Sequence, residues 1–454
     1  MKFKTKYLLI FCLAMGLVGL GALNPALASD EGPSVALPGS AAIDATPTLT
    51  INSAHLSNKQ FGSTKISVIR PGEYIYGVYS VTLSGASTDA LIRKYNIWLY
   101  SQRATFWSAK SPGTVLFSWG FQIPENKAKH GTQTKFKTIF QALGGNTVAR
   151  GLAFTIKRYG LTDSTRAYFS GLPTWLKNKI INNCKAAKNY LLKSALAFKG
   201  IYYSKSADKT SFLNRIKSRR QNAYLIHSHG SDTDGGRIYF LDNTYVNGSD
   251  LTASGFKAPG GLFYAAVCKG ATYTTLGNAF LTCGCKGFIG YTVSVYTSRN
   301  ADFYKEFFRR ATKKDMPANR ALAATIKWAY AKGWNDVTTA RYFGSHDLYL
   351  GGQTGPGISS ASVDLIEMDK VSQPAIVWKD ITTYLPSQAE HQAVHLADAV
   401  PAVQALKSQY GALTTGIEVF PSVYRVSYKA GDIFLYGVDV DKKTGTIVEE
   451  GTLD

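Results

Sequence analysis

Cys268 and His229 are the residues whose types and settings could do chemistry, because each closes a short apolar run and each is followed by small residues. The first run is Ala223-Tyr224-Leu225-Ile226-His227-Ser228-His229-Gly230, and the second is Gly261-Leu262-Phe263-Tyr264-Ala265-Ala266-Val267-Cys268-Lys269-Gly270. An apolar run of this length bounded by glycine reads as a strand covered on both faces. Functional side chains of an open parallel sheet sit just past the carboxyl ends of such strands. A thiol and an imidazole placed there are a candidate nucleophile and base for acyl transfer. Gly230 and Gly270 allow a substrate carbonyl to come close, and the N–H groups of Gly230 and Cys268 are the expected oxyanion donors. Burial alone would raise the Cys268 pKa, so an imidazolium at His229 and the start of a helix near Thr275 are expected to offset it. His227 lies two residues before His229 and shares its face. It is the rival base, but it sits inside the strand and is followed by Ser228 rather than glycine. Asp232 and Asp234, in the loop after His229, are candidate carboxylates for a basic substrate side chain. A solvated turn over Asp232-Thr233-Asp234-Gly235-Gly236 is the simpler reading of that segment.

The elements that must position this pair alternate between strand and helix. Ala167-Tyr168-Phe169 reads as a short strand, Pro173 to Ala197 as a helix and Phe198 to Tyr203 as a strand. Ser206 or Asp208 can cap a helix carrying Phe212, Leu213 and Ile216. Arg237 to Leu241 and Tyr245-Val246 read as a hairpin around Asp242-Asn243. After the Cys268 strand come a helix through Leu276 and Phe280, a buried strand over Gly287–Tyr291, and helices over Ala301–Thr312 and Asn319–Ala331. This alternation predicts a mostly parallel sheet with helices on both faces.

The His-Gly at one strand end, followed by Ala266-Val267-Cys268-Lys269-Gly270 at the next, resembles the caspase-like fold of caspases, metacaspases, gingipains and clostripain. Lys286-Gly287-Phe288-Ile289-Gly290-Tyr291 resembles the next strand of bacterial members, and Phe343-Gly344-Ser345-His346-Asp347-Leu348-Tyr349-Leu350 their closing segment. The resemblance covers residues 160–351 and implies a cysteine peptidase that needs no cofactor or metal. Two departures stand out. The Gln of the caspase motif is absent, and the acidic residue that metacaspases carry two positions before the cysteine is Ala266 here.

On either side the pattern changes. Repeated short strands with turn signals over residues 47–158 predict an all-β sandwich. A Trp-bearing strand, His130-Gly131-Thr132 and a Gly-Asn turn make it resemble bacterial immunoglobulin-like repeats. Residues 385–454 read as one helix near Ala389 to Tyr410 followed by a β meander, a small α+β domain. Val438-Asp439-Val440-Asp441-Lys442-Lys443-Thr444-Gly445-Thr446 resembles the terminal hairpin of the PepSY family. Residues 29–46 and 352–384 read as linkers. The expected fold class is therefore multidomain, with a central α/β domain between a β-sandwich and a small α+β domain.

Residues 1–28 read as a secretory signal peptide: Lys2, Lys4 and Lys6, an apolar stretch from Tyr7 to Leu23, and cleavage after Ala28. The mature protein is expected outside the cytoplasm, with no membrane span. The chain of 454 residues has a net charge of +21. That excess suits anionic partners such as cell-wall polymers, and the scattered lysines and arginines do not form a nucleic-acid motif. Cys184 falls on the helical stripe Leu176, Ile180, Cys184, Ala187, Leu191 and is expected in the core. A Cys283–Cys285 bridge would close a strained ring, so few or no disulfides are expected. His391 and His395 have helical metal-ligand spacing, but Gln392 stands where a zinc peptidase needs Glu, and no metal site is expected. Two functions follow: a secreted cysteine endopeptidase acting on proteins or peptides, and a catalytically inactive caspase-like scaffold at the cell surface or wall.

Overall fold

The computed structural model describes residues 46–86, 89–97, 105–124, 128–203, 208–219, 222–253, 255–258, 260–353 and 376–454. The expected signal peptide, nearly all of the first linker and most of the second lie outside these residues. The chain is a multidomain mixed α/β protein whose described residues fall into two compact units.

The first unit draws on residues up to 63, 77–119 and 135–152 and is built of strands. One sheet joins Thr48–Ser57, Tyr74–Ser84 and Gly113–Gln122 in that order. Ala90–Ile97 pairs antiparallel with Thr105–Lys110 on one side and with Gln133–Ala142 on the other. The Trp119 ring packs 4.2 Å from Phe136. Its Nε1–H donates to Thr138 (3.0 Å), whose hydroxyl donates to Tyr79 (2.7 Å), so the buried indole keeps a polar partner.

The second unit holds residues 64–76, 120–134 and 153–454. Its main sheet has six strands: β1 (Tyr159–Asp163), β2 (Lys199–Tyr203), β3 (Ala223–His227), β4 (Gly260–Ala266), β5 (Cys285–Tyr291) and β6 (Ala340–Gly344). The spatial order is β2-β1-β3-β4-β5-β6, parallel except for the antiparallel edge strand β6. Successive side chains of a strand point to opposite faces, and here the two faces have separate cores. Leu225, Leu262, Tyr264 and Ala266 join one core, together with residues of helices α1 (Thr174–Lys193), α5 (Thr297–Ala311) and α6 (Ala318–Tyr330). Tyr224, Ile226, Phe263 and Ala265 join the other, with helices α2 (Lys209–Arg219) and α4 (Thr275–Thr282) and the short α3 (Gly248–Thr252) between them. On this second face Phe263 stacks 3.9 Å from Phe280 and 5.2 Å from Tyr224. Each such fully buried ring or branched side chain contributes roughly 1.5–3 kcal/mol, which pins the register. The α1 stripe is buried as its spacing predicts, Cys184 included.

The segment Ala167-Tyr168-Phe169, expected as a strand, is instead the end of a 3-10 turn over Thr165–Tyr168, and the strand is Tyr159–Asp163. The cause is local. The Asp163 carboxylate accepts from the Thr165 N–H (3.0 Å) and hydroxyl (2.5 Å), which folds the chain back on itself. Asp163 is fully buried, and burial pushes its pKa from 3.8 up to about 6 against its bonds to Thr165 and Arg215. Between those two values the folded protein holds a proton that the unfolded chain has released. Stability from this group is therefore present below pH 3.8 and lost as pH rises through 6. Asp163→Asn should remove that dependence, so that wild type loses up to about 3 kcal/mol relative to the variant between pH 4 and 7. Denaturant melts of both proteins at several pH values measure it, and parallel curves would refute it.

The C-terminal part of this unit is a five-stranded antiparallel sheet, β7 (Lys379–Asp380), β8 (Thr414–Val419), β9 (Val423–Ala430), β10 (Ile433–Asp441) and β11 (Ile447–Thr452), in that order. Residues 376–384 were expected as linker, yet Lys379 and Asp380 pair with Ile417 and Gly416. The single helix expected near Ala389 to Tyr410 is two, α7 (Gln388–Asp398) and α8 (Pro401–Tyr410). Pro401 explains the break, since a proline fits only the first turn of a helix. Ala393, Val394, Ala397 and Val403 pack on Val426, Tyr428, Val438 and Val440. Among the described residues no helix is long and apolar enough to cross a membrane.

Candidate active site

The pairing of β3 with β4 sets the level at which the two candidate residues emerge. His227 is paired with Ala266, and His229 and Cys268 each follow their paired residue by two positions. The Ser228 N–H donates to the Ala266 carbonyl (3.3 Å), extending the pairing one step. Gly230 then runs against the Cys268 backbone. A Cβ on residue 230 would stand 2.5 Å from the Cys268 carbonyl oxygen and 2.7 Å from the Val267 side chain, so only glycine fits. The His229 carbonyl accepts from Tyr239 N–H (3.0 Å), in the hairpin that Arg237–Tyr239 forms with Tyr245–Val246. Thus His229 and Cys268 lie just past the same end of one pair of parallel strands, with Gly230 against Cys268.

Gly230→Ala should destabilise the protein by about 1–3 kcal/mol through overpacking and, with its N–H as the expected oxyanion donor, should cut any Cys268-dependent turnover at least about 100-fold. Chemical denaturation and initial rates on one preparation measure both. A variant with unchanged rate would remove Gly230 from the site.

The His229 imidazole is 3% exposed and stands edge-on to Phe169, with ring centroids 4.5 Å apart and planes at 84°. Its Nδ1 is buried and has no hydrogen-bond partner. Burial first, then the charges of Arg166 and His227, hold its pKa well below 6.5, so the ring is neutral. The Cys268 thiol is fully buried, and its Sγ accepts from the Val295 N–H (3.2 Å). Burial, reinforced by Asp454, pushes its pKa up. Burial thus disfavours the charged form of both members of the expected thiolate–imidazolium pair. The first residue of α4 is Thr275, seven positions after Cys268.

Leu453 and Asp454 pack beside Cys268. Beyond β11, Leu453 pairs antiparallel with Tyr296, and the Asp454 N–H donates to the Val295 carbonyl (3.1 Å). The Asp454 main-chain oxygen accepts from the Cys268 N–H (3.1 Å). Its side chain accepts from Arg166 Nε (3.1 Å), His227 Nε2 (2.8 Å) and Asn300 Nδ2 (2.7 Å). Leu453 and Asp454 are fully buried. His227, the rival base, is thus engaged with Asp454 and with the Tyr304 hydroxyl (3.2 Å).

Asp232 and Asp234 each meet a basic side chain. Asp232 faces Lys269 Nζ (3.4 Å), and Asp234 accepts from Arg237 Nε (3.0 Å), whose guanidinium also reaches Asp432 (2.7 Å). Lys269 itself is 3% exposed, lying over the Phe434 ring (4.6 Å) with Glu418 at 3.8 Å. The four described cysteines are free thiols. His391 and His395 lie on the exposed side of α7, and among the described residues no cluster of three or more metal-ligating side chains occurs.

Arg166 and Asn300 escaped the sequence reading. The rule that places functional groups past strand ends points to Arg166 once β1 is located correctly, because it follows Asp163 by three positions. Asn300, on α5, carries no such signal.

No family model matches the chain. A similar protein, an uncharacterized protein of Archaeoglobus fulgidus, is 33% identical over 126 residues, which is 26% of this chain and 64% of the relative. The chain thus spans just under two thirds of that relative's length. Among solved structures, a Niemann-Pick type C2 protein from Japanese carpenter ant aligns with 24% of this chain and 91% of its own at TM-score 0.16 and 12% identity. A beta-glucosidase from Listeria innocua aligns with 29% of this chain and 20% of its own at TM-score 0.17 and 9% identity. Likenesses at this level carry no argument about function.

Proposed function

We propose that this chain is a secreted cysteine endopeptidase of caspase-like fold, with Cys268 as nucleophile and His229 as general base and acid. The observation that carries the reading is that the strands bearing His229 and Cys268 are paired neighbours ending at the same side of the sheet, with Gly230 packed on the Cys268 backbone and the Cys268 N–H bonded to the Asp454 main-chain oxygen at 3.1 Å. That N–H is available to hold an oxygen, as the oxyanion of an acyl-transfer substrate would require. In the reaction His229 takes the thiol proton, and the Cys268 sulfur forms a bond to the carbonyl carbon. The C–N bond then breaks, and the imidazolium gives its proton to the leaving amine. Water, deprotonated by His229, attacks the thioester, which releases the carboxylic acid and restores the thiol.

The six-stranded sheet with its antiparallel edge, and two cores on opposite faces, support the caspase-like reading of residues 160–351. The N-terminal strands suit an immunoglobulin-like module that positions the enzyme on a surface. The C-terminal sheet suits a PepSY-like domain that restrains it. The basic charge would favour anionic cell-wall polymers.

The complete burial of Cys268 favours a second reading, an inactive scaffold of the same fold. Hydrolysis of an unfolded protein decides between them, measured in the natural chain and in Asp454→Ala, where the packing beside Cys268 is weakened. Turnover that disappears with Cys268→Ala supports the peptidase. No turnover in either background leaves the scaffold.

A further inference from the structure

Two thiols that the proposed reaction does not use lie side by side. Cys283 follows α4 and Cys285 opens β5, with Gly284 alone between them. Cys285 pairs with Gly260, the first residue of β4, so both thiols stand at the opposite end of the sheet from Cys268. Gly284 takes φ +113°, which a residue with a Cβ rarely adopts. Its turn passes the chain from helix to strand in one residue and leaves the two thiols hydrogen-bonded to each other. Ala258 ties the pair together from one side. Its N–H donates to the Cys283 carbonyl (2.7 Å), and its carbonyl accepts from the Cys285 thiol (3.5 Å). The Cys283 thiol reaches the Phe280 carbonyl (3.2 Å) in the last turn of α4.

The two sulfurs differ in kind. The Cys285 thiol beside it, helped by backbone N–H groups of Ala258 and Cys285, holds the Cys283 pKa below its ordinary value against the effect of burial. Cys285 is pushed the other way by the same sulfur–sulfur bond and by burial. Burial also pushes up Cys184, to about 12, and Cys268, so Cys283 is the thiol most easily ionised of the four described. A thiolate with a protonated thiol in reach is the arrangement that forms and opens a disulfide. A ring closed across one residue is strained, and a strained disulfide is readily reduced. Such a bridge is reversible rather than structural. Cys283 is 1% and Cys285 9% exposed, so the oxidant that fits the pair is a small one.

We infer that Cys283 and Cys285 are a redox-active dithiol that a small hydroperoxide oxidises to a reversible disulfide. Cys283 gives up its proton and its sulfur attacks one peroxide oxygen. The O–O bond breaks, and the other oxygen leaves with that proton, as water when the oxidant is hydrogen peroxide. Cys283 is then a sulfenic acid. The Cys285 sulfur attacks the Cys283 sulfur, the S–O bond breaks, and the hydroxyl leaves with the Cys285 proton as a second water. The pair loses two electrons, the peroxide gains them, and a small-molecule dithiol reverses the change by exchange. The inference does not depend on the chemistry at Cys268 and His229.

The test treats the full chain with hydrogen peroxide near neutral pH, unfolds it in iodoacetamide and maps the peptides by mass. The peptide carrying Cys283 and Cys285 is expected two hydrogens lighter and free of alkylation, with Cys184 and Cys268 alkylated in full. Dithiothreitol added before unfolding should return both thiols. In Cys285→Ser the reaction should stop at the Cys283 sulfenic acid, trapped by dimedone. In Cys283→Ser the oxidation of Cys285 should slow at least about 100-fold. The measurement on the natural chain stands even where a serine variant fails to fold. A pair that remains fully alkylated after peroxide overturns the inference, whatever happens to Cys184 and Cys268. So does a Cys283 carried to sulfinic acid with no bridge formed, or a bridge that dithiothreitol does not open in the folded protein.

Discussion

Replacing Cys268 with alanine is expected to lower hydrolysis of an unfolded protein by at least about 10⁴-fold, with the fold retained. A nucleophile is not replaceable by its surroundings, and removing one member of a unit that acts together costs about as much as removing the unit. His229→Ala should therefore come close to the same loss, and the double variant should add little. The fold should survive because the thiol's polar contact is modest: Sγ accepts one N–H from Val295 at 3.2 Å. Truncating a small, well-packed side chain costs little next to the loss of a buried Leu or Phe. The rates are best read in the Asp454→Ala background, because there the carbonyl that occupies the Cys268 N–H has lost its side-chain anchor. The same background should show the thiol alkylated by iodoacetamide near neutral pH far faster than Cys184, whose pKa burial pushes up to about 12. Equal hydrolysis with and without the sulfur would leave the chain a scaffold.

How much of this was legible in the sequence follows from where each interaction is made. Strands β3 and β4 are buried on both faces, so their composition is apolar throughout and their ends are marked by Gly230 and Gly270. The position of His229 against Cys268 followed from that pattern alone. Strand β1 was not legible. Gly160 lies close under Leu191, where a Cβ would stand 2.6 Å from its Cδ1, and Thr162 and Asp163 are polar yet buried, so the run lacks a strand's usual signature. The turn after it carries Arg166, and missing the strand meant missing the arginine. The ionisation of the pair was misjudged for a different reason. The expectation of a charged dyad assumed an open cleft, whereas Leu453 and Asp454 remove the solvent that would support both charges. No local pattern marks a segment that docks almost 160 residues from its strand partner. Long-range pairing of this kind is specified by the completed fold. The acidic candidates Asp232 and Asp234 were reasonable on proximity to His229, but Lys269 and Arg237 lie nearer to hand and neutralise them.

Arg425→Ala is expected to destabilise the second unit by roughly 3–5 kcal/mol, the cost of breaking a buried ion pair from one side. Arg425 is 1% exposed and bonds both oxygens of Asp439 (2.7 and 2.9 Å) and the Ser294 carbonyl (2.6 Å), with Asp336 at 3.5 Å. Its guanidinium lies 4.2 Å from the centre of the Tyr296 ring. Asp336 in turn accepts from the Tyr296 N–H (2.9 Å) and from Arg299 (2.9 Å), and Arg299 also pairs with Glu449 on β11. Without the guanidinium, Asp439 and Asp336 would face each other's charge inside the protein with only Arg299 left between them. The position also matters for function. Val295 and Tyr296 are the residues on which Leu453 and Asp454 pair, and Ser294, which Arg425 holds, precedes them, so the ion network braces the ledge beneath that strand. Arg425→Ala should therefore both lower the denaturation midpoint and speed alkylation of Cys268, while Arg425→Met, which restores some of the packing against Tyr296 and Phe420, should recover only part of each loss. Denaturant melts and mass-spectrometric alkylation rates on the same samples measure the two effects. A large fall in stability with unchanged thiol protection would mean that the strand over Cys268 is held by Arg166, His227 and Asn300 alone, independently of the ledge beneath it.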